Sequence, residues 1–263
     1  MKRHLYTLVL FTWTDYKTIF LPVMTFACAT GPISTYRHFI KTVVWVLTHL
    51  LICNVSNQAK SEDEDSVNRP WRPLPSKRIT RSQAISLKWI MVSAGMSFSI
   101  ACGTQFVILT LALVLTTVLY DDVGLSRSFV GKNACNILGY AVFESAAVAL
   151  MAPHSKFDSV SLWAIALSAI LIFTTIQAQD FSDVEGDALA GRVTFPIYAP
   201  EFSRLATLLT TTAWSVFYGW FWGVGPVIRV LLAVLGTAVG VRYYKLRTPV
   251  ADKRTYVLYN VCD

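Results

Sequence analysis

Apolar residues run along the chain in long blocks, with short polar breaks between them. A block of about 17 or more nearly uncharged residues reads as a membrane-crossing helix. Such blocks at 16–35, 39–58, 83–101, 103–120, 133–152, 159–179, 203–222 and 226–243 predict eight transmembrane helices. Open antiparallel strands are excluded, because lipid cannot satisfy their edge hydrogen bonds. A membrane barrel needs alternating apolar and polar positions, and the stretch from Leu109 to Leu119 shows no such alternation. The predicted fold is an all-α, multi-pass transmembrane helical bundle, a single domain over residues 1–263. Thr255-Tyr256-Val257-Leu258-Tyr259-Asn260 reads as the opening of a ninth helix, cut short by the end of the chain at Asp263.

Two longer polar stretches stand out, Lys60 to Arg81 and Asp180 to Glu201. With eight helices, both of them share one side with the N-terminus, the 121–132 loop and the C-terminal tail. That side collects 19 of the 23 Lys and Arg residues, leaving Arg37, Lys41, Lys156 and Arg229 opposite. The positive-inside rule then puts both long loops and both termini in the cytosol. The expected location is a multi-pass position in the endoplasmic reticulum membrane.

Composition agrees with this picture: 54% of residues are apolar and 15% charged, against about 25% charged in soluble domains. The net charge of +7 falls mainly in the loops. There it serves orientation and anionic ligands, so nucleic acid is not an expected partner. The five cysteines form no CxxC pair, and His4, His38, His49 and His154 lack metal-ligand spacing, so no zinc site is expected. Met1-Lys2-Arg3 and Ala27-Cys28-Ala29 resemble parts of a signal peptide. Asp15, Tyr16 and Lys17 interrupt the apolar run and Pro22 follows, so a retained helix is expected.

Chemistry concentrates in the two loops. The second reads Asp180-Phe181-Ser182-Asp183-Val184-Glu185-Gly186-Asp187, followed by Gly191-Arg192-Val193-Thr194-Phe195-Pro196. Asp180, Asp183 and Asp187 share one helical face if the sixth helix continues through them. Three like charges there repel one another, and a divalent cation relieves the cost. Mg²⁺ takes one or two carboxylates together with phosphate oxygens and water. The first loop mixes acids with Arg69, Arg72, Lys77 and Arg78, and Arg forks suit phosphate. Pro70, Pro73 and Pro75 stiffen it by fixing φ. A solvated acidic loop and ordinary anchoring charges are the plainer readings of each stretch alone. Both clusters on one side, above an apolar bundle, describe a receptor for Mg²⁺, a polyphosphate and a greasy tail.

From about Thr14 to Asn260 the chain resembles the UbiA superfamily of intramembrane prenyltransferases. Asp183 and Asp187, with Asp180 upstream and Gly-Arg-x-Thr-x-Pro downstream, are similar to its second aspartate motif. Asn68-Arg69-Pro70-Trp71-Arg72-Pro73-Leu74-Pro75-Ser76 is similar to the segment after its first motif. That first motif, NDxxDxxxD, reads here Asn57, Gln58, Ser61 and Asp65, so two of its three carboxylates are replaced. Glu62 and Glu64 stand nearby to compensate. The resemblance implies metal binding by Asp180, Asp183, Asp187 and Asp65. It implies diphosphate binding by Asn57, Ser61, Arg69, Arg72, Lys77, Arg127, Lys132 and Arg192. The implied reaction is Mg²⁺-assisted ionisation of a prenyl diphosphate within the bilayer. The stretch Leu10-Phe11-Thr12-Trp13-Thr14-Asp15-Tyr16-Lys17-Thr18-Ile19 resembles the superfamily's fungal branch, which includes sesquiterpene cyclases. Cyclisation of farnesyl diphosphate is therefore the favoured expectation. Prenyl transfer to an aromatic or glycerol-type acceptor comes second, and a non-catalytic isoprenoid-binding protein third.

Overall fold

Backbone groups inside a bilayer must find partners within their own segment, and each apolar block named above is mainly helical over its described residues in the computed structural model. The structure describes residues 2–31, 33–152 and 157–262. Met1, His154, Lys156 and Asp263 lie outside the described residues, as does the side chain of Cys262. The first traverse combines α1 (Lys2–Thr12), a π-helical turn (Tyr16–Phe20) and α2 (Leu21–Thr30). It begins well before the expected residue 16, because Thr7, Leu10 and Phe11 also find buried positions. Then follow α3 (Tyr36–Gln58), the short α4 (Glu62–Asn68) in the first long loop, α5 (Arg81–Cys102) and α6 (Thr104–Thr117). A second π turn (Val118–Asp122) extends α6. Next come α7 (Phe129–Met151) and α8 (Ser159–Thr175), the latter continued by a 3₁₀ segment (Ile176–Ser182). The second long loop holds α9 (Val184–Leu189) and α10 (Phe195–Tyr198), and α11 (Pro200–Phe221), α12 (Pro226–Lys245) and α13 (Pro249–Cys262) complete the order.

Among the described residues, six helical segments are long and apolar enough to cross a membrane: Tyr36–Gln58, Arg81–Cys102, Thr104–Asp122, Phe129–Met151, Ser159–Ser182 and Pro226–Lys245. The other two expected spans are helical but differ in character. The first is divided at its π turn, and α11 carries Ser203, Arg204, Thr207, Thr210, Thr211, Thr212 and Ser215.

The core lies between α3 and α7. Trp45, Val46 and Leu50 meet Phe143, Ala146, Ala147 and Leu150, with Phe106 and Leu113 of α6 closing the side. Small residues on α7 let the backbones approach, as lipid-embedded packing requires. A closed set of hydrogen bonds ties α3 to α5 and α6. The His49 Nδ1 lies 2.8 Å from the Trp45 carbonyl, which can only accept, so Nδ1 carries the proton. Nε2 then accepts from the Thr110 hydroxyl at 2.8 Å. Ser99 donates to Thr110 at 2.7 Å, and the Trp45 indole donates to Ser99 at 3.0 Å.

α11 and α12 form a tight pair. A Cβ on Gly236 would stand 1.8 Å from the Ser215 Oγ, and one on Gly240 2.8 Å from the Leu208 backbone. α13 is a full helix that starts at Pro249, six residues before the expected Thr255. Arg204 of α11 holds it with a forked ion pair to Asp252 at 2.9 and 3.1 Å, while also donating to the Tyr243 carbonyl. Deeper along α13, the Tyr259 hydroxyl meets Thr175 of α8 at 2.7 Å. The segment read as the opening of a ninth helix is thus helical and turns back into the bundle, where Tyr243, Phe181 and Tyr259 together bury a satellite core.

Candidate active site

The two long loops meet over one end of the bundle. α4 lies across α9, and the approach depends on Gly186: a Cβ there would fall 2.2 Å from the Asn68 amide. The same amide donates to the Asp183 carbonyl at 3.4 Å. Beneath this junction a cavity of about 440 Å³ reaches between the first traverse, α3, α6, α7 and α13. That is within the range of roughly 300–1,000 Å³ usual for small-molecule sites.

The cavity is ionic at its mouth and apolar at its floor. Glu64, Arg69, Arg72, Lys132, Asp180, Asp183, Arg192 and Lys253 line the mouth, with Asn57, Asn68 and Asp121. Ile19, Leu113, Tyr140 and Phe143 line the floor. Lys132 donates to Asp180 at 2.7 Å and lies 3.7 Å from Asp187. Arg69 holds Asp183 at 2.5 Å. Arg192 reaches Glu64 at 2.8 Å and Asp187 at 3.5 Å, and Arg72 holds Asp65 at 2.7 Å. Burial pushes the Asp183 carboxyl up, but the Arg69 guanidinium outweighs it and holds the group below the usual carboxylate range. At Glu64 and Asp65 burial wins, and both sit above that range despite Arg192 and Arg72.

The expected residues divide into three groups. Asn57, Arg69, Arg72, Lys132, Asp180, Asp183 and Arg192 line the cavity. Asp65, Asp187 and Ser61 are buried behind it: Asp65 against Arg72, Asp187 between Lys132 and Arg192, and Ser61 donating to the Asn57 carbonyl at 2.9 Å. Lys77 and Arg127 lie elsewhere. Lys77 is exposed and paired with Glu62 at 2.7 Å, and Arg127 is exposed, with its carbonyl accepting from the Val193 amide at 2.8 Å. Gln58, in the first-motif frame, points away and donates to the Phe11 carbonyl at 2.8 Å. The second motif departs from one continuous α-helix, since a 3₁₀ segment carries Asp180 and α9 carries Asp187. Asp180 and Asp187 nonetheless converge on Lys132. Sequence reasoning did not single out Asp121, Asn68, Lys253 or Tyr256. Lys253 sits in a segment read as tail, Tyr256 in the opening of the expected ninth helix, and Asp121 at the end of an apolar block.

The mouth suits a hard cation in its donor chemistry. Asp180 Oδ2 and both Asp187 oxygens are buried and accept no hydrogen bond, an arrangement that calls for another partner. Among the described residues no three His, Cys, Asp or Glu side chains converge as a ready cation cage. Mg²⁺ does not need one, because phosphate oxygens and water fill much of its shell. The residues that would hold it are Asp180, Asp183 and Asp187.

An ionic mouth over an apolar pocket within a helical bundle defines a membrane protein that handles an amphipathic polyphosphate. The UbiA prenyltransferase family matches residues 19–261, and the chain belongs to that family. Fumagillin β-trans-bergamotene synthase of Aspergillus fumigatus is 30% identical over 80% of this chain and 72% of its own length. Diterpene cyclase eriG of Hericium erinaceus is 27% identical over 95% and 82%. Polyprenyl transferase eriF of the same fungus is 26% identical over 95% and 88%. The fold is shared with a UbiA homologue of Archaeoglobus fulgidus solved with GPP and Mg²⁺ bound. The TM-score is 0.71 at 14% identity, covering 97% of this chain and 98% of that one. The protein is an integral membrane enzyme of the terpene cyclase or prenyltransferase kind.

Proposed function

We propose that this enzyme is a Mg²⁺-dependent terpene cyclase that ionises farnesyl diphosphate and releases a cyclic sesquiterpene and diphosphate. The observation that carries the reading is the cavity itself, in which one continuous space joins an ionic mouth to an aromatic and apolar floor. A single substrate with a charged head and a long tail fits such a space from end to end. Bound Mg²⁺ supplies charge neutralisation for the leaving diphosphate.

The chain's own residues do the rest. In the free protein Arg69, Lys132 and Arg192 neutralise the carboxylates. Diphosphate is a stronger anion and draws these side chains to itself, which frees the carboxylates for metal. The C1–O bond then breaks, and its electron pair leaves with the diphosphate. The floor keeps water from the allylic cation, which a distal double bond of the same tail attacks. Tethering raises the effective concentration of that double bond by several orders of magnitude. Similarity to a named bergamotene synthase and a diterpene cyclase supports this choice. Similarity to a polyprenyl transferase supports transfer to an acceptor as the second reading.

The test is detergent-purified protein with farnesyl diphosphate and Mg²⁺, its extract run on a gas chromatograph. A cyclic hydrocarbon that disappears on chelation is expected. Prenyl alcohol alone, with a coupled product once an aromatic or glycerol-type acceptor is added, would establish the transferase.

A further inference from the structure

Between the ionic mouth and the apolar floor lies a belt of neutral polar side chains. Asn54 and Asn136 belong to it, each about one helical turn, roughly 5 Å, below Asn57 and Lys132. Thr117 lies one turn below Asp121 in the same way. One carboxylate stands in this belt, that of Asp15. It lines the cavity at the head of the π turn Tyr16–Phe20, with the Thr18 hydroxyl at 3.5 Å and the Asn54 side chain as its polar neighbours. The Thr18 carbonyl in turn accepts from the Tyr140 hydroxyl at 2.8 Å, which fixes Asp15 just above the floor.

Asp15 differs from every other carboxylate at the cavity. Asp180, Asp183 and Glu64 each have a cation within 2.8 Å, and Asp121 is held by the Asn57 amide at 3.1 Å. Among the described residues no ion pair includes Asp15, and the charges that face it, Arg72 and Arg69, are engaged with Asp65 and Asp183. An ionisable group at membrane depth is costly and persists where it has work to do. A π turn beside it fits a functional position, since such turns recur at sites.

We propose that Asp15 is the base that ends the reaction, a role that rests on the cyclase reading above. Its carboxylate takes a proton from the carbon next to the final carbocation. The C–H electron pair becomes the new C=C bond, the positive charge disappears, and no co-reactant is consumed. The resulting carboxylic acid passes its proton to water as the product leaves. Other groups at this depth are amides, hydroxyls and the Cys53 and Cys135 thiols, none of which is an anion waiting for a proton. The diphosphate stays at the mouth with Arg69, Lys132 and Arg192, while the cation moves along the tail toward the floor.

The test compares wild type, Asp15→Asn, Asp15→Glu and Asp15→Ser with farnesyl diphosphate and Mg²⁺, measuring diphosphate released and hydrocarbon formed in the same tube. Hydrocarbon formed per diphosphate should fall by about 100-fold in Asp15→Asn, in line with the usual worth of a general base. A cyclic terpene alcohol, formed when water captures the final cation instead, should make up the balance, and Asp15→Glu should recover part of the ratio. An unchanged ratio in both Asp15→Asn and Asp15→Ser would overturn the proposal. So would a parallel loss of diphosphate and hydrocarbon in variants that elute as wild type does. Diphosphate release without hydrocarbon in the wild-type tube would sink the cyclase reading itself, separately from anything the variants show.

Discussion

A guanidinium that holds a carboxylate leaves it only for a stronger anion, and at the cavity mouth this trade ranks the residues. Asp183 faces the cavity, is paired with Arg69, and is held in its ionised form. It is ready for a cation as soon as Arg69 turns to diphosphate. Ser61 contributes one neutral hydrogen bond to a neighbouring carbonyl, and Lys77 lies outside the cavity altogether. Asp183→Asn should therefore lower kcat/KM by about 100-fold, as loss of a metal-orienting group does. Ser61→Ala should cost no more than about tenfold, the scale of one hydrogen bond, and Lys77→Ala should leave the rate unchanged. Steady-state rates at saturating Mg²⁺ decide this ranking, and an equal loss in Ser61→Ala and Asp183→Asn would refute it. Seven of the twelve residues expected at the site line the cavity, and all of these but Lys132 come from motif segments that carry both the chemistry and the spacing. Lys77 and Arg127 were named for charge alone, and charge does not tell which way a loop side chain turns.

At the level of elements, apolar length was the readable quantity. It marks α3, α5 and α7 within two to four residues at their ends. It fails for α1 and α13, whose charged residues Lys2, Arg3, Asp252, Lys253 and Arg254 are paired or placed at an end rather than absent. The π turns were invisible as well, since they follow from packing and not from composition. The clearest consequence concerns α13, which brings Lys253, Tyr256 and Val257 to the cavity wall. Its anchor is the buried pair of Arg204 and Asp252, with side chains 11% and 1% exposed. Asp252→Ala leaves the guanidinium buried beside Phe181 without its acid, a loss worth about 3–5 kcal/mol. The expected result is a lower melting temperature in detergent and loss of turnover. A conservative Asp252→Asn should retain part of the fork and fall between the two. Melting curves identical to wild type for Asp252→Ala would show that α13 is held by other contacts.

For the whole molecule, the distribution of charge and the path of the chain constrain each other. The gaps after α3, α6, α8 and α12 all open on the side of the cavity mouth, and the turns at Gly103 and Gly223 open on the other. Of the four basic residues expected opposite, Arg37, Lys41 and Arg229 are described, and each lies near an end of a helix on that far side. The remaining excess stays at the mouth even though α13 turns back inward, because Lys253 and Arg254 belong to its first turns. On the positive-inside rule we propose that the mouth faces the cytosol, so that the diphosphate head of the proposed substrate would enter from water while its tail enters the bundle. We predict that an N-terminal tag and a protease site placed in the 60–80 loop are both open to cytosolic reagent in sealed microsomes. A cysteine introduced at 224 should react only after the membrane is permeabilised. Deeper in the bundle, the Tyr259 hydroxyl of α13 stays within hydrogen-bond reach of Thr175 in α8. Labelling of residue 224 in intact microsomes, or opposite exposure of the N-terminus and the first long loop, would invert the orientation.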